Sequence, residues 1–191
     1  MIINYIQKFN EILNAVEVTE NKSIVKFDHS IEKIADKLNE VRNEGASIYL
    51  IGNGGSNGIV SHTSVDLINT CKIKAVPLSE AGAITCFAND FGYENVFSKP
   101  LEVFISPLDI LIAVSSSGES KNIINSVEIA KRKKAFLITL SGFKADNCLR
   151  EKGDFNFWLN SDDYGLVEIG HAFLLHYLTD YYSGKYIKKT L

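Results

Sequence analysis

Cysteine is scarce in this chain and shows no pairing pattern: Cys71, Cys86 and Cys148 are odd in number and scattered. That argues against a disulfide framework and fits a reducing cytoplasm. Basic charge is not in excess either, since the formal net charge is −3. No basic face is implied, so nucleic acid is not expected as a partner. The N-terminus alternates apolar and charged residues, unlike a signal peptide, and no apolar run is long enough for a bilayer. No membrane partner is expected. Repeats and low-complexity linkers are absent as well. What remains is an ordinary composition, 46% hydrophobic and 23% charged over 191 residues. A chain of that size buries roughly 70% of its unfolded surface, so one domain over 1–191 is expected.

Periodicity supplies the architecture. Ile2, Tyr5, Phe9, Ile12, Leu13 and Val16 recur at helical spacing, as do Ile24, Phe27, Ile31, Ile34, Leu38 and Val41. Two helices are therefore predicted within residues 1–45, the second stopped by Gly45. The apolar stripe of the first has no upstream partner, and a contact with another subunit is the preferred reading. From Ser47 onward, short apolar runs at 48–51, 73–78, 110–114, 135–140 and 155–159 alternate with helical stretches. Those stretches cover about 57–70, 82–90, 94–104, 121–132 and 164–183. The alternation predicts an α/β fold with a five-stranded parallel sheet covered by helices on both faces. Ligands of such sheets bind beyond the carboxyl ends of the strands.

Two loops stand at that edge. The first, Gly52-Asn53-Gly54-Gly55-Ser56, ends an apolar strand and opens a helix; its glycines let backbone N–H groups approach an anion. In the second, Ser115, Ser116, Ser117 and Ser120 surround Gly118 at another strand-to-helix junction. Hydroxyls and helix N-terminal N–H groups are neutral donors suited to phosphate, although serine-rich turns also cap helices with no ligand at all. Neither loop holds the lysine of a nucleoside-triphosphate loop, and the glycine spacing is not that of a dinucleotide site.

Histidine is also rare, with four residues. His29 falls on the polar face of the second helix and reads as solvated. His62 and Asp66 are one helical turn apart on one face. On the last helix, Glu168 is aligned with His171 by a spacing of three, while His176 is two turns away. Spacing alone favours Glu168 with His171 as a metal pair. The run Lys131 to Lys134 falls where a helix should end, where cations are favourable.

Gly52–Ser56, His62 with an acid four residues later, Asn89-Asp90-Phe-Gly-Tyr, Val96-Phe-Ser and Ser115–Asn122 together resemble the phosphoheptose isomerases. These are sugar-isomerase (SIS) domain enzymes that convert sedoheptulose 7-phosphate to a mannoheptose 7-phosphate. The resemblance implies a three-layer SIS sandwich, a homotetramer packed partly through residues 1–45, and active sites at subunit interfaces. It implies sugar and phosphate contacts from Asn53, Gly54, Gly55 and Ser56, with Asn89 and Asp90 lining the sugar site. Ser115, Ser116, Ser117 and Ser120 would hold the phosphate, with Glu168 also at the substrate. One zinc would be held by His62, Asp66, Glu168 and His176, with Asp66 as base and His176 as acid. The product would feed heptose units of lipopolysaccharide or capsule.

Departures from the family pattern accompany these matches. Asp66 and Glu168 stand where the family has Glu and Gln. Thr70 and the stretch Tyr164–Val167 replace family arginines. The second carboxylate would tighten metal binding and weaken the Lewis acid. The substitutions also leave room for a different sugar phosphate. A non-catalytic phosphosugar sensor, or an adaptor of a replication initiator, is the alternative of another class.

Overall fold

The computed structural model describes residues 1–184, so the last seven positions of the expected 1–191 domain lie outside the described residues. In chain order the elements are α1 (Ile2–Asn14), β1 (Glu17–Glu20), β2 (Ser23–Val25), α2 (Phe27–Glu44), β3 (Ser47–Gly52) and α3 (Gly55–Asn69). Then follow β4 (Lys74–Pro77), α4 (Ala81–Phe91), a 3₁₀ turn (Tyr93–Asn95), α5 (Ser98–Phe104) and β5 (Ile110–Ser115). The chain continues through α6 (Lys121–Arg132), β6 (Phe136–Ser141), β7 (Phe155–Trp158) and α7 (Tyr164–Tyr182).

One sheet runs in the order β2-β1-β7-β6-β5-β3-β4. The strands β7, β6, β5, β3 and β4 are mutually parallel, as the alternation of strands and helices predicts. Its strands alternate their burial between two cores. Ile110, Ile112 and Val114 face a core shared with α2, α3 and α7, while Leu111 and Ala113 face one shared with α5 and α6. Successive strand residues point to opposite faces, so a strand covered on both sides must be apolar throughout. All six residues of β5 are buried accordingly. This is the three-layer sandwich.

The N-terminal region corrects the expectation of two helices filling 1–45. Residues 17–25 form a hairpin that adds two antiparallel strands, making the sheet seven-stranded. Val18 is 1% exposed and pairs with Phe157, whereas Ile24 is 72% exposed on the outer strand. Arg150 fixes the hairpin from below: its Nη2 donates to Glu17 Oε2 at 2.6 Å, and its guanidinium stacks 4.3 Å over the Trp158 ring. The stretch 94–104 also divides, because Val96 and Phe97 turn inward between the 3₁₀ turn and α5. Gly45 ends α2 as expected, at φ 65°, with its N–H bonded to the Arg42 carbonyl and the following Ala46 N–H bonded to the Val41 carbonyl.

Candidate active site

Parallel pairing of β3 with β5 sets Gly52 beside Val114, which brings both loops to one edge of the sheet. Between them lies a cavity of about 140 Å³ lined by Asn53, Ser56, Ser115, Ser116, Ser117, Ser120, Tyr164 and Glu168. Two helices begin here without a side-chain cap, α3 at Gly54 and α6 at Ser120. The serine turn is therefore not spent on capping α6. Ser115 Oγ accepts from the Gly118 N–H at 3.2 Å and donates to Ser120 Oγ at 3.3 Å. Ser116 is buried, and its hydroxyl has no partner among the described residues. A buried hydroxyl without a partner costs about 1–3 kcal/mol, so an occupant with acceptor oxygens is well matched to this cavity.

Asn53 is held rigidly. Its Nδ2 donates to Asn122 Oδ1 at 2.9 Å, Asn122 Nδ2 donates back at 2.8 Å, and the Tyr93 hydroxyl donates to Asn53 Oδ1 at 3.0 Å. The sequence pattern contained Asn122 and Tyr93 but gave neither a role; only the strand pairing shows that they meet Asn53. Gly54, at φ 53°, supplies the turn into α3. Gly55 passes so close to the Glu168 carboxylate that a Cβ would overlap it. Asn89 and Asp90 are exposed at the end of α4, bonded to each other at 2.9 Å, and do not line the cavity.

Further along α3, His62 and Asp66 meet His176 of α7, and their ligand atoms all lie within 4.8 Å of one another. The two Nε2 atoms are 2.9 Å apart, and Asp66 Oδ2 is 3.5 Å from His62 Nε2 and 3.3 Å from His176 Nδ1. Two nitrogens on a tetrahedral zinc stand roughly 3.3 Å apart, given zinc–nitrogen bonds of about 2.0–2.1 Å. Two imidazoles and a carboxylate with an open side fit a zinc of catalytic type. Both histidines are exposed.

Two expectations about α7 change. His171, preferred by spacing alone, is fully buried with its Nε2 3.1 Å from the Ser141 carbonyl. Burial pushes its pKa down to about 4, so it is a neutral packed residue. Its partner by spacing, Glu168, is not part of the three-residue cluster. The Glu168 carboxylate instead faces the serine cavity, two turns or ~12 Å along the helix axis from His176. Among the described residues, no lysine or arginine lines that cavity. His29 is not merely solvated, since its Nε2 is 3.0 Å from Glu20 Oε2.

The chain is similar to known proteins over most of its length. Residues 4–142 match the model of the SIS domain. The phosphoheptose isomerase of Shewanella denitrificans is 33% identical over 159 residues, 79% of this chain and 81% of that one. The Cytophaga hutchinsonii phosphoheptose isomerase is 34% identical over 146 residues, 74% of each chain. A solved phosphoheptose isomerase from Francisella tularensis shares the fold, with a TM-score of 0.80 at 24% identity over 95% of both chains. The chain belongs to the phosphoheptose isomerases of the SIS-domain family, a family of sugar-phosphate isomerases.

Proposed function

We propose that the chain converts sedoheptulose 7-phosphate to D-glycero-D-manno-heptose 7-phosphate in the cytoplasm, for heptose units of lipopolysaccharide or capsule. The observation that carries this reading is the arrangement along α3. The serine cavity opens at its N-terminus, and a His/Asp/His cluster stands two to three turns further on. Ser56 and His62 are ~9 Å apart along the axis, the scale of an extended sugar phosphate rather than of phosphate alone. Serine hydroxyls and the N-terminal N–H groups of α3 and α6 would hold the phosphate and orient the reacting end. Asn53, fixed by Asn122 and Tyr93, would contact the sugar. Asn89 and Asp90 would close the sugar site from α4.

Asp66 would take a proton from C1 of the ketose while His176 gives one to the carbonyl oxygen at C2, forming an enediol. Returning the proton to C2 and removing the one on the C1 oxygen yields the aldose. Zinc bound by His62, Asp66 and His176 would supply polarisation of the substrate oxygens. Glu168 would be the fourth ligand only after leaving the cavity.

A homotetramer in which residues 1–45 help pack the subunits is part of this proposal. Ile2, Ile3 and Ile6 expose an apolar face of α1, and Val65, Ile68, Ile169 and Phe173 are exposed on the two helices that carry the metal cluster. Apolar surface beside a site is suited to cover by another copy. No described helix is long and apolar enough to cross a membrane.

Incubation with sedoheptulose 7-phosphate, with and without zinc, followed by NMR, tests the reading. The aldose should appear in the wild type and not in Asp66→Ala. Absence of turnover in zinc-loaded wild type would overturn it. The Glu168 carboxylate, in a cavity that no cation lines among the described residues, favours a second reading, an isomerase of a different sugar phosphate. Turnover of another phosphosugar from a panel would select it.

A further inference from the structure

A second cavity, of about 430 Å³, opens at the opposite end of the sheet, where β6 begins at Phe136 and the chain enters β7 through Asp154. It is separated from the serine cavity by roughly the length of a six-residue strand, about 20 Å. Five lysines converge on it from four separate segments: Lys22 from the β1–β2 turn, Lys37 from α2, Lys131 and Lys134 from the end of α6, and Lys152 from the loop before β7. Helix-dipole complementation accounts for the α6 pair alone. It does not bring Lys22, Lys37 and Lys152 to the same place.

Acids nearby pair with three of the five lysines and leave two unpaired. Lys22 pairs with Glu151 at 3.5 Å, Lys37 with Glu40 at 2.8 Å, and Lys152 with Glu128. Asp154 and Glu151 also line the cavity, and the Asp154 carboxylate accepts from the Leu137 N–H at 2.8 Å. Lys131 and Lys134 have no carboxylate within salt-bridge distance among the described residues. Lys22 and Lys134 adopt left-handed conformations, φ 73° and 61°, where glycine or asparagine is the easier residue.

We propose that this cavity binds a small anion carrying a diphosphate group, at a site separate from the isomerase centre. Its volume falls within the range of small-molecule sites, and its unpaired lysines match adjacent phosphates rather than a single carboxylate. The diphosphate could be free or part of a nucleotide.

Calorimetric titration with pyrophosphate and with ADP, at about 0.15 M salt, tests this. The proteins are wild type, Lys131→Ala/Lys134→Gly, and Ser116→Ala as the control for the serine cavity. Glycine relieves the left-handed backbone at 134, so the double variant should fold, and its melting temperature verifies this. Wild type and Ser116→Ala should bind pyrophosphate saturably and alike, while the double variant should bind about a hundredfold more weakly, tenfold per lysine. Lys131→Arg/Lys134→Arg should retain binding. Equal affinity for ADP would assign recognition to the diphosphate alone, and tighter ADP binding would assign a nucleotide. No saturable binding, or equal binding by the double variant, would overturn the proposal. So would loss of binding in Ser116→Ala.

Discussion

The Nε2 atoms of His62 and His176 stand 2.9 Å apart although 114 positions separate them in the chain. With Asp66 Oδ2 they form a three-residue group whose two imidazoles are exposed. Replacing His176 by alanine removes one of three donors, and zinc affinity should fall roughly a hundredfold or more. Because His176 is half-exposed, the melting temperature of the metal-free protein should barely change. Equilibrium dialysis against zinc, beside a thermal melt, checks both. Unchanged zinc affinity would remove this cluster from consideration.

Ser116 predicts opposite effects on stability and binding. Its hydroxyl is buried without a partner among the described residues, so Ser116→Ala should be neutral or stabilising by about 1 kcal/mol. The same change should raise KM for a sugar phosphate about tenfold if that hydroxyl meets the phosphate. A variant that melts higher yet binds worse would mark the hydroxyl as kept for a ligand. Unchanged KM would assign it no such role.

The Glu168 carboxylate lines the serine cavity, where the proposed phosphate would sit. Glu168→Gln should therefore tighten binding of inorganic phosphate about tenfold, the size of one like-charge contact at partial exposure. Zinc titration of the same variant separates its two possible roles. A loss of zinc affinity would make Glu168 a ligand as well, and no change would confine it to the cavity.

His171 contributes a pH dependence. Burial lowers its pKa from 6.5 to about 4 in the folded state. Between those values the unfolded chain holds the proton and the folded one does not, so stability rises with pH across that window. It falls as pH drops from 6.5 toward 4, by about 3 kcal/mol in all. Urea melts from pH 4 to 7 should show this slope, and His171→Gln should flatten it relative to wild type.

The parallel sheet was legible because β3, β5 and β6 are apolar runs bounded by glycine or serine, a pattern that only burial on both faces demands. The hairpin was not. Strands of four and three residues are too short to show a period, and their apolar residues fall into register with the helical spacing on either side. The turn Asn21-Lys22 also lacks the glycine that marks most tight hairpins. On α7, apolar residues surround the helix, so nothing in the spacing says which histidine points inward. Packing turns His171 onto Ser141 and His176 onto His62. The position of the serine loop at the strand ends was legible, but the Glu168 carboxylate beside it appeared only once α7 was laid across those ends.

The hairpin has a practical consequence. Without β1, the backbone of Phe155–Trp158 would be left with one row of unsatisfied donors and acceptors on an aromatic strand. Such a strand recruits others. A shortened chain beginning at α2 would keep all the catalytic candidates and still be prone to self-association through β7. Fusions and tags are better joined ahead of α1 than substituted for the first 25 residues.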